Sequence, residues 1–326
     1  MRKLKRLWLV TGGAGFIGSN IAEELARRGQ RVRVLDNLST GRLENLAPFR
    51  DRIEFVRGDI RDFSDCRKAV KGVGYILHQA AIRSVPKSVD NPMETHEANA
   101  TGTLNMLMAA REAKVGRLVF ASSSSVYGES RIFPQREAYR PLPVSPYAAQ
   151  KLMGETYAIV FAKTFGLETV SLRYFNVFGP RQNPESKYSA VIPKFMESAY
   201  LGRPLDVDWD GNQSRDFTYV ANVVQANIRA ATSRTGIGET FNIANGRNYS
   251  LLDIIRVLED LLGHKVERRH HSKRKGDVRK TNADISRAKR LLGYRPMVGF
   301  DAGLRLTWDY FVKQYAQKQS RGKVAG

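Results

Sequence analysis

Tyr147 and Lys151 stand four residues apart in the run Tyr147-Ala148-Ala149-Gln150-Lys151. On a helix that spacing puts a phenol and an ammonium on one face, and Pro146 suits the helix start. A free tyrosine has a pKa of about 10, too high for a base at neutral pH. A neighbouring ammonium stabilises the phenolate and lowers that value. Upstream, Phe120-Ala121-Ser122-Ser123-Ser124-Ser125-Val126-Tyr127-Gly128 ends an apolar run in four serines. A serine at the carboxyl edge of a sheet can donate to a substrate hydroxyl or relay its proton; the same four residues can also form a polar turn. His270 and His271 are adjacent, so on a helix they diverge, and we expect no metal site there.

A second constellation lies near the start. Gly12-Gly13-Ala14-Gly15-Phe16-Ile17-Gly18 follows the apolar run Leu7–Val10. It can be framed as G-x-G-x-x-G or as G-x-x-G-x-x-G. Either way the turn is tight, the backbone can approach a pyrophosphate, and the helix N-terminus offers free N–H groups and a partial positive charge. Asp36 stands 18 residues after Gly18, close to the usual separation of about 20 for a carboxylate that takes the adenosine ribose hydroxyls. Such a carboxylate repels a 2′-phosphate and favours NAD over NADP, although Arg33 and Arg42 stand nearby. Asp59, in Gly58-Asp59-Ile60, is either a second carboxylate near the adenine or a turn residue.

These residues need a scaffold. Leu7–Val10, Val32–Leu35, Ile53–Val56, Tyr75–Leu77, Leu118–Ala121 and Thr169–Leu172 read as strands. Helical patterns such as Phe63–Val70, Thr95–Ala113 and Tyr147–Phe165 lie between them. This alternation predicts an α/β fold, a Rossmann-type doubly wound parallel sheet. After about Gly179 the rhythm weakens. Helices are expected over Tyr188–Leu201, Leu251–Leu262 and Asp301–Lys318, with a short strand at Phe241–Ala244. We expect residues 1–178 to form the dinucleotide-binding domain, with some later segments returning to it. Residues 179–326 should form mainly a smaller α/β substrate-binding lobe.

Composition bounds the partners. The 326 residues carry 53 Lys and Arg against 32 Asp and Glu, a net charge of +21, which favours anionic partners. The densest basic run is His264–Lys280, and no zinc-finger, ribonucleoprotein or basic-zipper pattern accompanies it, so no specific nucleic acid is expected. The single cysteine, Cys66, excludes an intrachain disulfide framework and fits a cytoplasmic location. No apolar run is long enough for a membrane span, which needs about 18 residues.

The glycine loop, Leu35-Asp36-Asn37, His78-Gln79-Ala80-Ala81, Asn99, the Ser122–Gly128 segment, Tyr147/Lys151 and Arg173-Tyr174-Phe175-Asn176 occur in this order. Together they resemble the extended branch of the short-chain dehydrogenase/reductase superfamily, and within it the UDP-sugar 4-epimerases. The resemblance runs from about Lys5 to Tyr315. It implies that Tyr147 is the catalytic base, that Lys151 tunes it and holds the nicotinamide ribose, and that Ser123 assists, with Ser122 and Ser124 as alternative alignments. It implies NAD as cofactor, held by Gly12, Gly15, Phe16, Ile17, Gly18, Asp36, Asn37, Asp59, Ile60, Gln79, Ala80, Ala81 and Asn99 together with Tyr147 and Lys151. For the UDP-sugar, Asn176, Arg215 and Arg274 would meet the diphosphate and Asp277 the uridine ribose. Ser84, Val85, Ser123 and Val191 would line the remainder, and Thr281 would flank the sugar 2-substituent. The reaction implied is inversion at C4 through a transient 4-keto sugar, in a homodimer joined through Thr95–Ala113 and Tyr147–Phe165. A UDP-glucuronate 4-epimerase is the nearest alternative. A 4,6-dehydratase would need an Asp-Glu pair where Ser124 and Ser125 stand.

Overall fold

The computed structural model describes residues 6–130, 132–183, 191–272 and 279–324, the last eight of these as backbone only. Its first half alternates strands and helices: β1 (Leu7–Thr11), α1 (Phe16–Arg27), β2 (Arg31–Asp36), β3 (Glu54–Arg57), α2 (Phe63–Ala69), β4 (Val73–His78), α3 (Val85–Asp90), α4 (Pro92–His96), α5 (Gly102–Glu112), β5 (Arg117–Ser123), α6 (Pro146–Phe165) and β6 (Thr169–Tyr174). The second half adds β7 (Val177–Phe178), α7 (Val191–Tyr200), β8 (Leu205–Asp208), β9 (Ser214–Arg215), β10 (Thr218–Tyr219), α8 (Val220–Thr232), β11 (Glu239–Ile243), β12 (Tyr249–Ser250), α9 (Leu251–Leu262), β13 (Arg268–His271), α10 (Ser286–Leu292) and α11 (Phe300–Val324).

Seven strands form one sheet in the order β11-β6-β5-β4-β1-β2-β3, and every pairing in it is parallel. Every residue of β1 and of β6 is buried. That is the mark of strands covered by helices on both faces; it explains the apolar run of β1, while β6 buries Thr169, Ser171 and Arg173 as well. The order reverses between β1 and β4, the place where open α/β sheets bind ligands beyond the strand ends. The glycine loop follows β1, and the Ser122–Ser125 cluster ends β5 one strand beyond β4.

The later chain divides. Helix α8 packs on α1 and against β4, β5 and β6, and β11 lengthens the sheet. The rest builds a second core from Phe178, Phe195, Phe217, Ile254, Leu258 and Phe300. Helix α9 begins with a capping box, Ser250 and Asp253 exchanging bonds, and ends on Gly263 in the left-handed region. Its bounds are those its residue pattern predicts.

One expectation changes, and the structure adds elements that the sequence left unassigned. The stretch 95–113 is not one α-helix: a π-turn at Glu97–Thr101 separates α4 from α5. Thr95 Oγ1 and the buried Asn99 side chain bond to backbone groups there and across the loop after β4, and these bonds offset the irregular turn. His270 and His271 lie on the strand β13, beside β8, rather than on a helix. Their rings turn to different partners, Trp209 O and Asp206. Helix α8 is an addition to the pattern read from the sequence, because Asn222, Gln225 and Asn227 interrupt its apolar spacing yet are buried. Among the described residues no helix is long and apolar enough to cross a membrane.

Candidate active site

The glycine loop is dictated by close approach. Gly12 has φ +64°, and a Cβ there would lie 2.7 Å from Ala80 Cα in the loop after β4. A Cβ on Gly18 would lie 2.2 Å from Gly12 O, so α1 can sit against the loop only with glycine there. Helix α1 starts at Phe16 with no side-chain cap and no acidic residue in its first turn. Its first N–H groups, free of intrahelical partners, therefore face the cleft.

Beyond the strand ends lies a cleft of about 1150 Å³, part of it open to solvent. Gly12, Gly15, Phe16, Ile17 and Gly18 form one wall. Asp36, Asn37, Asp59 and Ile60 form the end beside β2 and β3, and Gln79, Ala80 and Ala81 the side after β4. Tyr147 and Lys151 close the other end.

Asp36 is 7 % exposed, and burial raises its pKa. Its carboxylate accepts from Ala14 N at 2.9 Å and Leu38 N at 2.8 Å, so it ties the glycine loop to the end of β2. Asp59 is held low, to about 2, chiefly by the Arg61 side chain, and it accepts from Asn37 Nδ2 at 2.9 Å. Arg33, a possible phosphate ligand by sequence, points elsewhere: it bonds to Ala69 O and Lys71 O and pairs with Glu54.

At the other end, α6 places Tyr147 and Lys151 one turn apart. The helix is capped by Ser145, with Pro146 in its first turn and Gly166 closing it. Lys151 Nζ is buried and donates to Ala121 O at 2.9 Å; burial pushes it down to about 8, against the pull of the Glu155 carboxylate. The phenol of Tyr147 runs opposite to the sequence expectation. Burial raises its pKa, and the influences that lower it are a hydrogen bond with Ser123 and the charge of Arg83. The ammonium of Lys151 lies 5.9 Å from the centre of its ring, and Arg83 adds a second cation that favours the phenolate.

Ser122 and Ser123 differ in their partners. Ser122, which lines the cleft, donates its Oγ proton to the buried Glu155 carboxylate at 2.5 Å. Ser123 Oγ accepts from Ser125 N and Ser125 Oγ and stands beside Tyr147.

Other sequence-named residues lie apart from the cleft lining. Asn99 is buried and clamps both backbone groups of Ile82, at 2.8 and 3.0 Å. It shapes the cleft wall through Ile82, which does line it. Ser84 caps α3 through Lys87 N, and Val85 is exposed. Val191 opens α7 and packs on the second core. Asn176, with φ +32°, donates to Thr281 Oγ1 at 3.3 Å, which brings two of the substrate candidates together. Arg215 lies on β9, next to the segment that carries Thr281, whose N bonds to Ser214 O. Arg274 and Asp277 lie outside the described residues.

Sequence reasoning missed Arg83, Glu94, Ser39 and Thr40 as cleft residues. For Arg83 there was a signal that could have found it: it follows His78-Gln79-Ala80-Ala81 in the same loop.

The residues fit a dinucleotide. A cradle that two Cβ atoms would fill, an uncapped helix N-terminus and a buried carboxylate at the far strand end all point the same way. The set contains no metal donors in the required number: among the described residues no three His, Cys, Asp or Glu side chains gather.

The model of the NAD dependent epimerase/dehydratase family matches residues 8–244. A putative UDP-glucose 4-epimerase of Methanocaldococcus jannaschii is 37% identical over 299 residues, 91% of this chain and 95% of that protein. Two solved structures superpose closely. The UDP-N-acetylglucosamine 4-epimerase of Methanobrevibacter ruminantium, in complex with UDP-N-acetylmuramic acid, has a TM-score of 0.90 at 37% identity, covering 95% of this chain and 99% of that one. The UDP-glucose 4-epimerase of Thermus thermophilus, in complex with NAD, has a TM-score of 0.85 at 38% identity, covering 94% and 98%.

Proposed function

The chain belongs to the NAD-dependent epimerase/dehydratase family, and on that basis we propose that it inverts C4 of a UDP-hexose. Both the UDP-glucose/UDP-galactose pair and the UDP-N-acetylglucosamine/UDP-N-acetylgalactosamine pair are its substrates. One observation carries this reading: Tyr147 and Lys151 line the same cleft as the glycine loop and Asp36, and Ser123 bonds to Tyr147 from outside the lining.

NAD held along the glycine loop and Asp36 would supply a group that accepts the C4 hydride and gives it back. The chain's own work is proton handling and orientation. Tyr147 Oη takes the proton of the 4-hydroxyl and later returns it. Ser123 bonds to that phenol and passes the proton between it and the sugar oxygen. Lys151, fixed to Ala121 O, keeps its charge beneath the ring. Arg83 favours the phenolate. Asp36 repels a 2′-phosphate, which supports NAD over NADP. Because the cycle is redox-neutral, the cofactor remains bound.

On the substrate side, Asn176, Arg215 and Arg274 would neutralise the diphosphate and Asp277 would hold the uridine ribose. Ser84, Val85 and Val191 would complete the site, and Thr281 leaves room for an acetamido group. The relatives named above act on plain and N-acetylated UDP-sugars, which supports the double specificity. One observation favours a second reading, UDP-glucuronate: Arg83 brings a cation to Tyr147, where a carboxylate next to C4 would sit.

The same proposal includes a cofactor domain over residues 1–178, with later segments returning to it, and a substrate lobe over 179–326. It also includes a homodimer formed through α5 and α6, and a cytoplasmic location, which the buried free thiol of Cys66 supports. The test is to denature the purified protein, identify the released nucleotide, and assay the three UDP-sugar pairs. Released NAD with conversion of the plain and acetylated pairs is expected. Stoichiometric NADH consumption or bound NADP would overturn the cycle, and conversion of the uronate pair alone would replace the substrate assignment.

A further inference from the structure

Beneath the catalytic residues lies an ion pair that the reaction scheme does not use. Arg173 on β6 and Glu155 on α6 have side chains 5 % and 3 % exposed. They meet in a fork, Nε to Oε1 at 2.8 Å and Nη2 to Oε2 at 2.7 Å. A pair this dry is poor evidence for stability, since desolvation offsets most of its attraction. Its position is more informative. Glu155 Oε1 also accepts from Ser122 Oγ, the residue before Ser123. Lys151, one helical turn earlier, bonds to Ala121 O, the residue before Ser122. Two successive residues of β5 are thus pinned by two successive turns of α6, directly before the catalytic serine.

We propose that Glu155, clamped by Arg173, is a positioning residue for the epimerisation: it fixes the end of β5 through Ser122 and provides the counter-charge for the buried Lys151 ammonium. The inference rests on the C4-epimerase reading. Among the described residues no other carboxylate acts on Lys151. Around α6, the remaining groups are neutral, cationic or engaged elsewhere. His78 on β4 is buried and held neutral, at about 3, by burial and by Lys151. Tyr127, after β5, and Tyr174, on β6, are pushed up by burial. Arg83 and Arg173 are cations. Glu137 acts on Arg173 and Tyr127. Lys87 and Glu94, from α3 and α4, pair with each other; Glu97, Arg111 and Glu112 are exposed.

The sign follows. Burial lowers Lys151 and Glu155 raises it. Without the carboxylate, the ammonium loses its proton at lower pH, and a rate that needs the charged lysine fails earlier on the alkaline side. The test measures kcat and KM against pH for the cofactor-loaded enzyme with UDP-glucose, in wild type, Glu155→Asp and the double variant Glu155→Met/Arg173→Met. The double variant removes Glu155 and Arg173 together at similar volume, so neither member of the pair is left without the other, and Lys151 is the buried charge whose loss of a partner the measurement reads. Its alkaline limb should move down by at least ~1 pH unit, a tenfold change in the charged fraction above it, with KM within about twofold. Glu155→Asp keeps the charge but shortens the reach, so its limb should stay and its kcat should fall. An unmoved limb in the double variant, or a limb that moves equally in Glu155→Asp, overturns the proposal. A double variant that fails to fold while Glu155→Asp is fully active also overturns it, because the pair is then structural only. An inactive wild type would instead count against the epimerase reading itself.

Discussion

At the scale of single residues, two buried groups make opposite predictions about protons. In the proposed mechanism Tyr147 carries the reacting proton, and Tyr147→Phe keeps the ring and deletes the oxygen. Steady-state kinetics should show kcat reduced by at least the ~100-fold associated with a lost general base. Near-native turnover would remove Tyr147 from the chemistry. His78 instead bears on stability. Its ring is 1 % exposed between Thr11 Oγ1, at 2.7 Å, and Thr103 Oγ1, at 3.2 Å, and its pKa falls to about 3. The unfolded chain, with an ordinary histidine pKa of about 6.5, binds the extra proton first. The stability that the neutral ring confers is therefore complete above about pH 6.5 and is lost as pH falls from there toward 3, at up to about 1.4 kcal/mol per pH unit. Urea melts between about pH 6 and 4 should show that slope in wild type, and a smaller one in His78→Gln.

At the scale of elements, the informative contact is between α6 and β5. Gly154 is buried in the middle of α6, where alanine would ordinarily stabilise a helix by ~1 kcal/mol. A Cβ there would stand 2.3 Å from Phe120 Cζ, on the strand that carries the serines. Phe120 is itself 1 % exposed and lies under Lys151, whose Nζ is 5.1 Å from its ring centre. The ring has nowhere to go, so the clash outweighs the propensity. Gly154→Ala should destabilise by roughly 1–3 kcal/mol, the usual cost of overpacking, and should lower kcat because Lys151 moves with the helix. Thermal melts together with turnover decide it; a higher Tm would show that the helix tolerates the shift.

At the scale of the whole molecule, the faces of α6 correct the sequence reading of the dimer. Leu107 and Phe161, which belong to the two stretches expected to pair, are buried in the protomer's own core. The apolar side chains that α6 leaves exposed are Met153, Val160 and Phe165. A dimer through this face should appear as twice the protomer mass by light scattering at micromolar concentration, and Met153→Asp/Val160→Asp should return it to a monomer. The second whole-molecule prediction concerns the two lobes. Thr281, from the late chain, meets Asn176, from the loop after β6. In the proposed site a tyrosine at 281 would fill the space beside the sugar. Thr281→Tyr should lower kcat/KM for the N-acetylated pair by at least ~10-fold, the equivalent of about 1.4 kcal/mol of overpacking, while largely sparing the plain pair. Equal losses on both pairs would show that Thr281 is not the gate.

Whatever is local or periodic was legible in the chain. The seven strands of the sheet, the glycine turn, the bounds of α9 and the pairing of Tyr147 with Lys151 all follow from spacing, because period and turn chemistry act over a few residues. Composition and charge likewise excluded disulfides and a membrane span before any fold was known. What depends on distant partners came only with the folded molecule. Ser122 and Ser123 are chemically identical in the chain, and only the Glu155 carboxylate, 33 residues after Ser122, takes one and leaves the other beside the phenol. Spacing could not show that Arg83 also acts on Tyr147, since that depends on a loop folding over the strand ends. Nor could it show that Asn99 holds Ile82 or that α8 returns to the sheet with buried asparagines. Burial is set by every element at once, and burial is what reverses the expected direction of the Tyr147 pKa.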